Sequence, residues 1–140
     1  MAELTTLILK NDLAEVERVA SFISALCEQH AVPPELEYDL NLALDEIITN
    51  VIKHAHSDGG EHPFTVRVTL SDEEFVAQVE DAGVEFNPTK HPPPDLDSPI
   101  EQRRIGGLGI YLVQQIMDSM EYERTAGKNL VTLRKRITSP

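Results

Sequence analysis

The chain has 140 residues, a length that suits one domain with a modest core, and 41% of them are apolar, as in an ordinary globular protein. Its 24 acidic residues against 12 basic ones leave a net charge of −12, which disfavours binding to a nucleic-acid backbone and suits a basic protein partner. No run is long enough to span a membrane, the N-terminus has no signal character, and the lone Cys27 excludes an internal disulfide, so a single cytoplasmic domain over residues 1–140 is expected.

Leu4 to Lys10 reads as a first strand. Asp12 is a helix N-cap with Glu15 in capping-box position, and a helix is predicted from Leu13 to His30. Cys27 falls in line with Val16, Val19, Ala20 and Ile23 on its buried stripe. Pro33 and Pro34 open a second helix, with Glu35 and Glu37 at its positive end. Its main body is Leu40 to His56, where Leu40, Leu44, Ile47, Ile48, Val51 and Ala55 form one apolar stripe. Ser57-Asp58-Gly59-Gly60 ends it.

Phe64, Val66, Val68 and Leu70 alternate with polar residues and predict a half-buried strand. A tight turn at Ser71-Asp72-Glu73 leads to a hairpin partner through Phe75, Ala77 and Val79. Asp81 keeps the phase of those apolar residues. Either it points inward and needs a hydrogen-bonding partner, or the strand has ended and it caps a turn. Ala82 to Ile105 is rich in proline and without periodicity, which is the pattern of a lid-like loop at about 82–105. Gly106-Gly107-Leu108-Gly109 feeds a helix from Ile110 to Met120, and a glycine turn before a helix can present amides to an anion. Two strands follow, Glu121 to Thr125 and Leu130 to Ile137, joined by a turn at Ala126-Gly127-Lys128-Asn129. The basic cluster Arg134-Lys135-Arg136 reads as a solvated strand end.

Three stretches carry chemistry. Glu46 and Asn50 project side by side one helical turn apart, a carboxylate that can take a proton and an amide oxygen that can bind a hard cation. Asp81-Ala-Gly83-Val-Glu85-Phe86-Asn87-Pro88 closes the hairpin. The glycine turn ends at Gly109.

In that order the three resemble the ATP-binding domain shared by gyrase-type ATPases, heat-shock protein 90, histidine kinases and mismatch-repair proteins. Within it the chain is most similar to the bacterial anti-sigma serine/threonine kinases. The second stretch is near the DxGxxFDP form of those kinases, with Asn87 for the usual Asp. The resemblance implies an α/β two-layer sandwich of the Bergerat type: a mixed, mostly antiparallel sheet with helices on one face. It implies ATP and Mg2+ as cofactors, Asn50 as the Mg2+ ligand and Glu46 as the general base for a serine or threonine hydroxyl. Asp81 would accept a hydrogen bond from the adenine amino group, and Gly83 would leave room for the purine. Gly107 and Gly109, with the neighbouring amides of Gly106 and Leu108, would cradle phosphates, and Arg104 would reach the terminal ones.

The function so implied is a protein kinase that acts as an anti-sigma factor. Its partners would be a sigma factor and a STAS-type anti-anti-sigma protein, with no nucleic acid or membrane and with homodimerisation a family expectation. An alternative is a partner-switching binding module without turnover. A histidine-kinase catalytic fragment ranks below both, since the chain starts at the first strand and His54 and His56 sit where they cap or solvate a helix end. A metal hydrolase is weaker still, because His54, His56 and His62 have no HExxH-like spacing.

Overall fold

The computed structural model describes residues 3–90 and 108–137. Five strands form one sheet in the order β1-β2-β3-β5-β4: β1 (Glu3–Lys10), β2 (Pro63–Leu70), β3 (Glu74–Asp81), β4 (Ser119–Thr125) and β5 (Lys128–Arg136). All four pairings are antiparallel, so the sheet implied by the resemblance has no parallel pair among the described strands. Along β2 and β3 burial alternates residue by residue, which puts Phe64, Val66, Val68 and Leu70 on the same face as Phe75, Ala77, Val79 and Asp81. Ser71 fixes the hairpin between them by accepting the N–H groups of Glu73 and Glu74 on its hydroxyl.

Helices α1 (Glu15–Gln29), α2 (Pro34–His54) and α3 (Leu108–Ile116) supply the other half of the core. The predicted stripe of α2 is buried along its whole length, and Ala43 joins it. Val19, Ile23 and Cys27 bury the inner face of α1. Burial, reinforced by the charge of Glu37, pushes the Cys27 thiol up to about 11, so this cysteine is an unreactive packing group. On the opposite side of β1, Leu4 and Ile8 are exposed.

Among the boundaries that differ from the sequence expectation, three have a visible cause. Helix α1 starts at Glu15 rather than Leu13, because Asp12 binds the N–H of Ala14 in a tight turn and Glu15 reaches back to the N–H of Lys10. Helix α3 ends at Ile116, not Met120. Asp118 donates its N–H to the Arg134 carbonyl and accepts the N–H of Arg136, which draws the chain into β4. Met120 therefore lies opposite Leu133 in a strand pair, although its spacing also suits a helix stripe. Strand β5 begins at Lys128, and only Ala126 and Gly127 form the hairpin turn, both with positive φ (53° and 77°) as a two-residue loop between twisted strands requires.

The basic cluster on β5 is held by carboxylates. Arg134 pairs with Glu74 and Glu121, and Lys135 with Asp118. Among the described residues, no helix is long and apolar enough to cross a membrane.

Candidate active site

A cavity opens between the second half of α2, the ends of β3 and β5, and the segment that follows β3. Helix α2 contributes Ile47, Asn50, Val51, His54 and Ala55, and the strands contribute Asp81, Asn129 and Val131. Val84, Glu85, Phe86 and Pro88 close the remaining side. The wall is apolar, with a few polar groups set into it, which is the usual make-up of a small-molecule site.

Asp81 resolves both readings offered by the sequence. The strand continues through it, its side chain is buried (7% exposed), and the same carboxylate caps the following turn. Its Oδ1 accepts the N–H of Gly83 at 2.9 Å and the Asn129 side-chain amide at 3.0 Å. Both bonds fall on Oδ1, and no described residue donates to Oδ2.

Asn50 is half-buried in the cavity wall, and its carboxamide makes no hydrogen bond to a described residue. An amide facing a cavity with its oxygen uncommitted fits a group that binds a hard cation. A single amide suffices only if other ligands come from the bound molecule, as is usual where Mg2+ accompanies phosphates. Among the described residues no three His, Cys, Asp or Glu side chains gather as a metal site. His56 stacks on His62 with ring centres 3.7 Å apart, and His62 is bound to Asp58. His54, read from the sequence as a helix-end group, is exposed on one side and lines the cavity on the other.

Glu46 lies one turn before Asn50 and faces the start of α3. A β-carbon added at Gly109 would run into the Glu46 carboxylate and lie 2.7 Å from its Cδ, so glycine lets the start of α3 approach without displacing that side chain. Desolvation there, with the adjacent charge of Asp45, raises the Glu46 carboxyl above the ordinary range, and Lys53 partly offsets the shift. A carboxylate with a raised pKa is a stronger base once ionised.

Gly83 packs tightly against the end of α2. A β-carbon there would strike the carbonyl and side chain of Ala55. The N–H of Val84 donates to that same Ala55 carbonyl at 2.9 Å. Gly83→Ala should therefore destabilise the fold by about 1–3 kcal/mol through overpacking against backbone, measured by urea denaturation.

Of the remaining predicted site residues, Arg104, Gly106 and Gly107 lie outside the described residues, as does 91–105 of the lid-like loop. Leu108 begins α3. The first part of that loop is ordered by its own side chains. Asn87 accepts the N–H and hydroxyl of Thr89, and Pro88–Lys90 form a 3-10 turn.

Asn129 is the residue that sequence reasoning missed. The turn formers before it predict a turn there, but it sits in β5 opposite Asp81 and is 4% exposed. The available signal was its phase: it stands two residues before Val131 and four before Leu133, on the core-facing side.

Comparisons with known proteins identify the family and the fold. The model of the histidine kinase-like ATPase domain matches residues 9–135. The chain is 31% identical over 100 residues to the serine/threonine-protein kinase BtrW of Bordetella bronchiseptica, covering 70% of this chain and 69% of that protein. It is 28% identical over 113 residues to the serine-protein kinase RsbW of Listeria monocytogenes, covering 78% and 72%. Among solved structures, the RsbU and RsbW domains of a Mycobacterium tuberculosis protein superpose with a TM-score of 0.69 at 16% identity, over 99% of this chain and 33% of that one, a likeness of fold. The chain belongs to the histidine kinase-like ATPase domain family, among its protein serine/threonine kinases.

Proposed function

We propose that the chain is an ATP- and Mg2+-dependent kinase that phosphorylates a serine or threonine of a STAS-type anti-anti-sigma partner and, in the alternative complex, holds a sigma factor. The family match and the kinases named above support the class of reaction. One geometric observation carries the assignment of residues. Asn50 and Asp81 face a single cavity, while Glu46 lies beyond Asn50 along α2, against the start of α3.

That order gives the nucleotide a direction. Asp81, Gly83 and Ala55 mark the purine end. Glu46 and Gly109 mark the phosphate end. Nine residues of helix separate Ala55 from Glu46, about 13 Å of axial rise, a span that an extended nucleoside triphosphate covers.

At the purine end the free Oδ2 of Asp81 accepts only, so it suits an exocyclic amino group rather than a carbonyl. At the other end Glu46 would take the proton of the attacking hydroxyl as its oxygen bonds the γ-phosphorus and the bond from that phosphorus to the β–γ bridging oxygen breaks, with ADP as the leaving group. Asn50 would hold Mg2+, which when bound would supply charge neutralisation and orientation of the phosphates. By the resemblance, the amides of Gly106, Gly107, Leu108 and Gly109 and the charge of Arg104 would serve the phosphates. The chain's own acidity makes such local compensation necessary, because its mean field repels a polyanion.

The test is incubation of the full chain with Mg2+, ATP labelled at the γ-phosphate and a STAS-domain protein. Label on a serine or threonine of that protein is the expected result. Nucleotide binding without label on any candidate would instead support a partner-switching module.

A further inference from the structure

We infer that Asn129 is a positioning residue that ties the purine-reading carboxylate to the segment closing the cavity. The inference rests on the nucleotide reading of this cavity. The Asn129 carboxamide is buried, and its hydrogen-bonding capacity is spent. Its Nδ2 donates to Asp81 Oδ1 at 3.0 Å and to the Val84 carbonyl at 2.8 Å. Its Oδ1 accepts the N–H of Phe86 at 3.3 Å and the hydroxyl of Tyr122.

Those four bonds join β3, β4, β5 and the segment after β3 at one side chain. A carboxamide alone offers two donors on one arm and two acceptor sites on the other; a carboxylate has no donor and an aliphatic side chain has neither. Arg124, from the same strand as Tyr122, adds a bond from its guanidinium to the Gly83 carbonyl at 2.9 Å. The β4–β5 hairpin thus grips the backbone at Gly83, Val84 and Phe86, and Val84 and Phe86 line the cavity.

The consequence for the ligand lies at Asp81. With the Asn129 amide and the Gly83 N–H both on Oδ1, the carboxylate cannot rotate without losing two donors. Oδ2 stays presented as an acceptor, and the base that fits is one carrying an amino group. The same side chain that sets this preference also holds the wall formed by residues 84–86, so base recognition and wall geometry are coupled.

Asn129→Asp separates positioning from packing because it preserves shape and replaces the donor arm by a second acceptor facing Asp81 and the Val84 carbonyl. The ionisable groups around this point are Asp81, Tyr122, Arg124, His54 and Glu85. Near neutral pH two carboxylates would face each other, and on acidification they would share a proton. Two quantities are read for the full chain at about pH 7.5 and about pH 5: calorimetric affinity for ATP and for GTP with Mg2+, and hydrogen exchange of the Gly83 amide without nucleotide, corrected for intrinsic rates.

The expected result is ATP affinity about tenfold or more weaker at the higher pH, with Gly83 exchange faster, and partial recovery of both relative to the unsubstituted chain at the lower pH, since one proton restores the Asp81 contact but not the bond to Val84. Unchanged affinity and exchange, or a loss identical at both pH values, overturns the inference. If the unsubstituted chain binds no ATP, the nucleotide reading fails. Exchange at Gly83 then decides separately whether Asn129 holds Asp81. Should Asn129→Asp not fold, Tyr122→Phe removes one of the four bonds at little cost in volume; it should weaken ATP several-fold with helix content unchanged, and unaltered affinity overturns the inference.

Discussion

Glu46→Gln should leave ATP bound and reduce phosphate transfer by about 10²–10⁴-fold, the range by which a positioned general base accelerates proton transfer. The substitution keeps the shape of the side chain, so the packing of Gly109 against it is preserved. It removes only the capacity to take a proton. Folding should not suffer. Desolvation and Asp45 raise the Glu46 carboxyl, so its ionised form is disfavoured in the folded chain. That form opposes folding above its folded-state pKa and is absent below the ordinary glutamate value, so a neutral amide should hold or raise the melting temperature near pH 7. If Glu46 is the base, the same shift should set the acid limb of the activity. Transfer should rise with pH through a value above that of an ordinary glutamate, and the limb should vanish in Glu46→Gln. Full transfer by the variant would remove Glu46 from the base role.

Asp81→Ala should have the largest effect on affinity. On the proposed reading it would delete the acceptor for the base amino group, a charge-assisted bond whose loss corresponds to about ten- to hundredfold in affinity. It also leaves the Gly83 N–H and the Asn129 amide without their acceptor. Each such buried donor costs about 1–3 kcal/mol, so denaturation should show a fall in stability alongside the loss of binding. Asp81→Asn distinguishes the two effects. It keeps the volume, but its amide must turn either a donor toward Asn129 or a donor toward the base. Nucleotide titration and urea denaturation of both variants read the two losses independently. ATP binding at unchanged affinity in Asp81→Ala would place the base elsewhere.

Much of the fold was legible because its signals are periodic. The stripe from Leu40 to Ala55 specified α2, and with the helix known, Glu46 and Asn50 had to lie one turn apart. Alternation from Phe64 to Val79 specified β2 and β3 and carried the phase through to Asp81, whose inward position then demanded partners. Where two periods fit the same residues, the reading slipped. Met117 and Met120 suit a helix stripe, yet Asp118 makes its bonds to β5, and strand pairing prevails. Asn129 was lost for a related reason. Ala126-Gly127-Lys128-Asn129 is rich in turn formers, but left-handed φ at Ala126 and Gly127 alone closes the hairpin.

The partners of Asp81 could not be read from sequence. They depend on β5 crossing to lie beside β3, a pairing of residues 48 positions apart. The tight fit of Gly83 on Ala55 and of Gly109 on Glu46 is equally non-local. In both places the sequence shows a glycine; only the packing shows what it makes room for.

Isothermal titration of Mg2+ and ATP into the full chain, repeated for Asn50→Ala and with Mg2+ chelated, tests the site most directly. One nucleotide should bind per chain with saturable heat, and affinity should fall both on substitution of Asn50 and on removal of the cation. Heat indistinguishable from dilution for the unsubstituted chain, or binding indifferent to Asn50 and to Mg2+ alike, would contradict the assignment of this cavity to a metal-nucleotide complex.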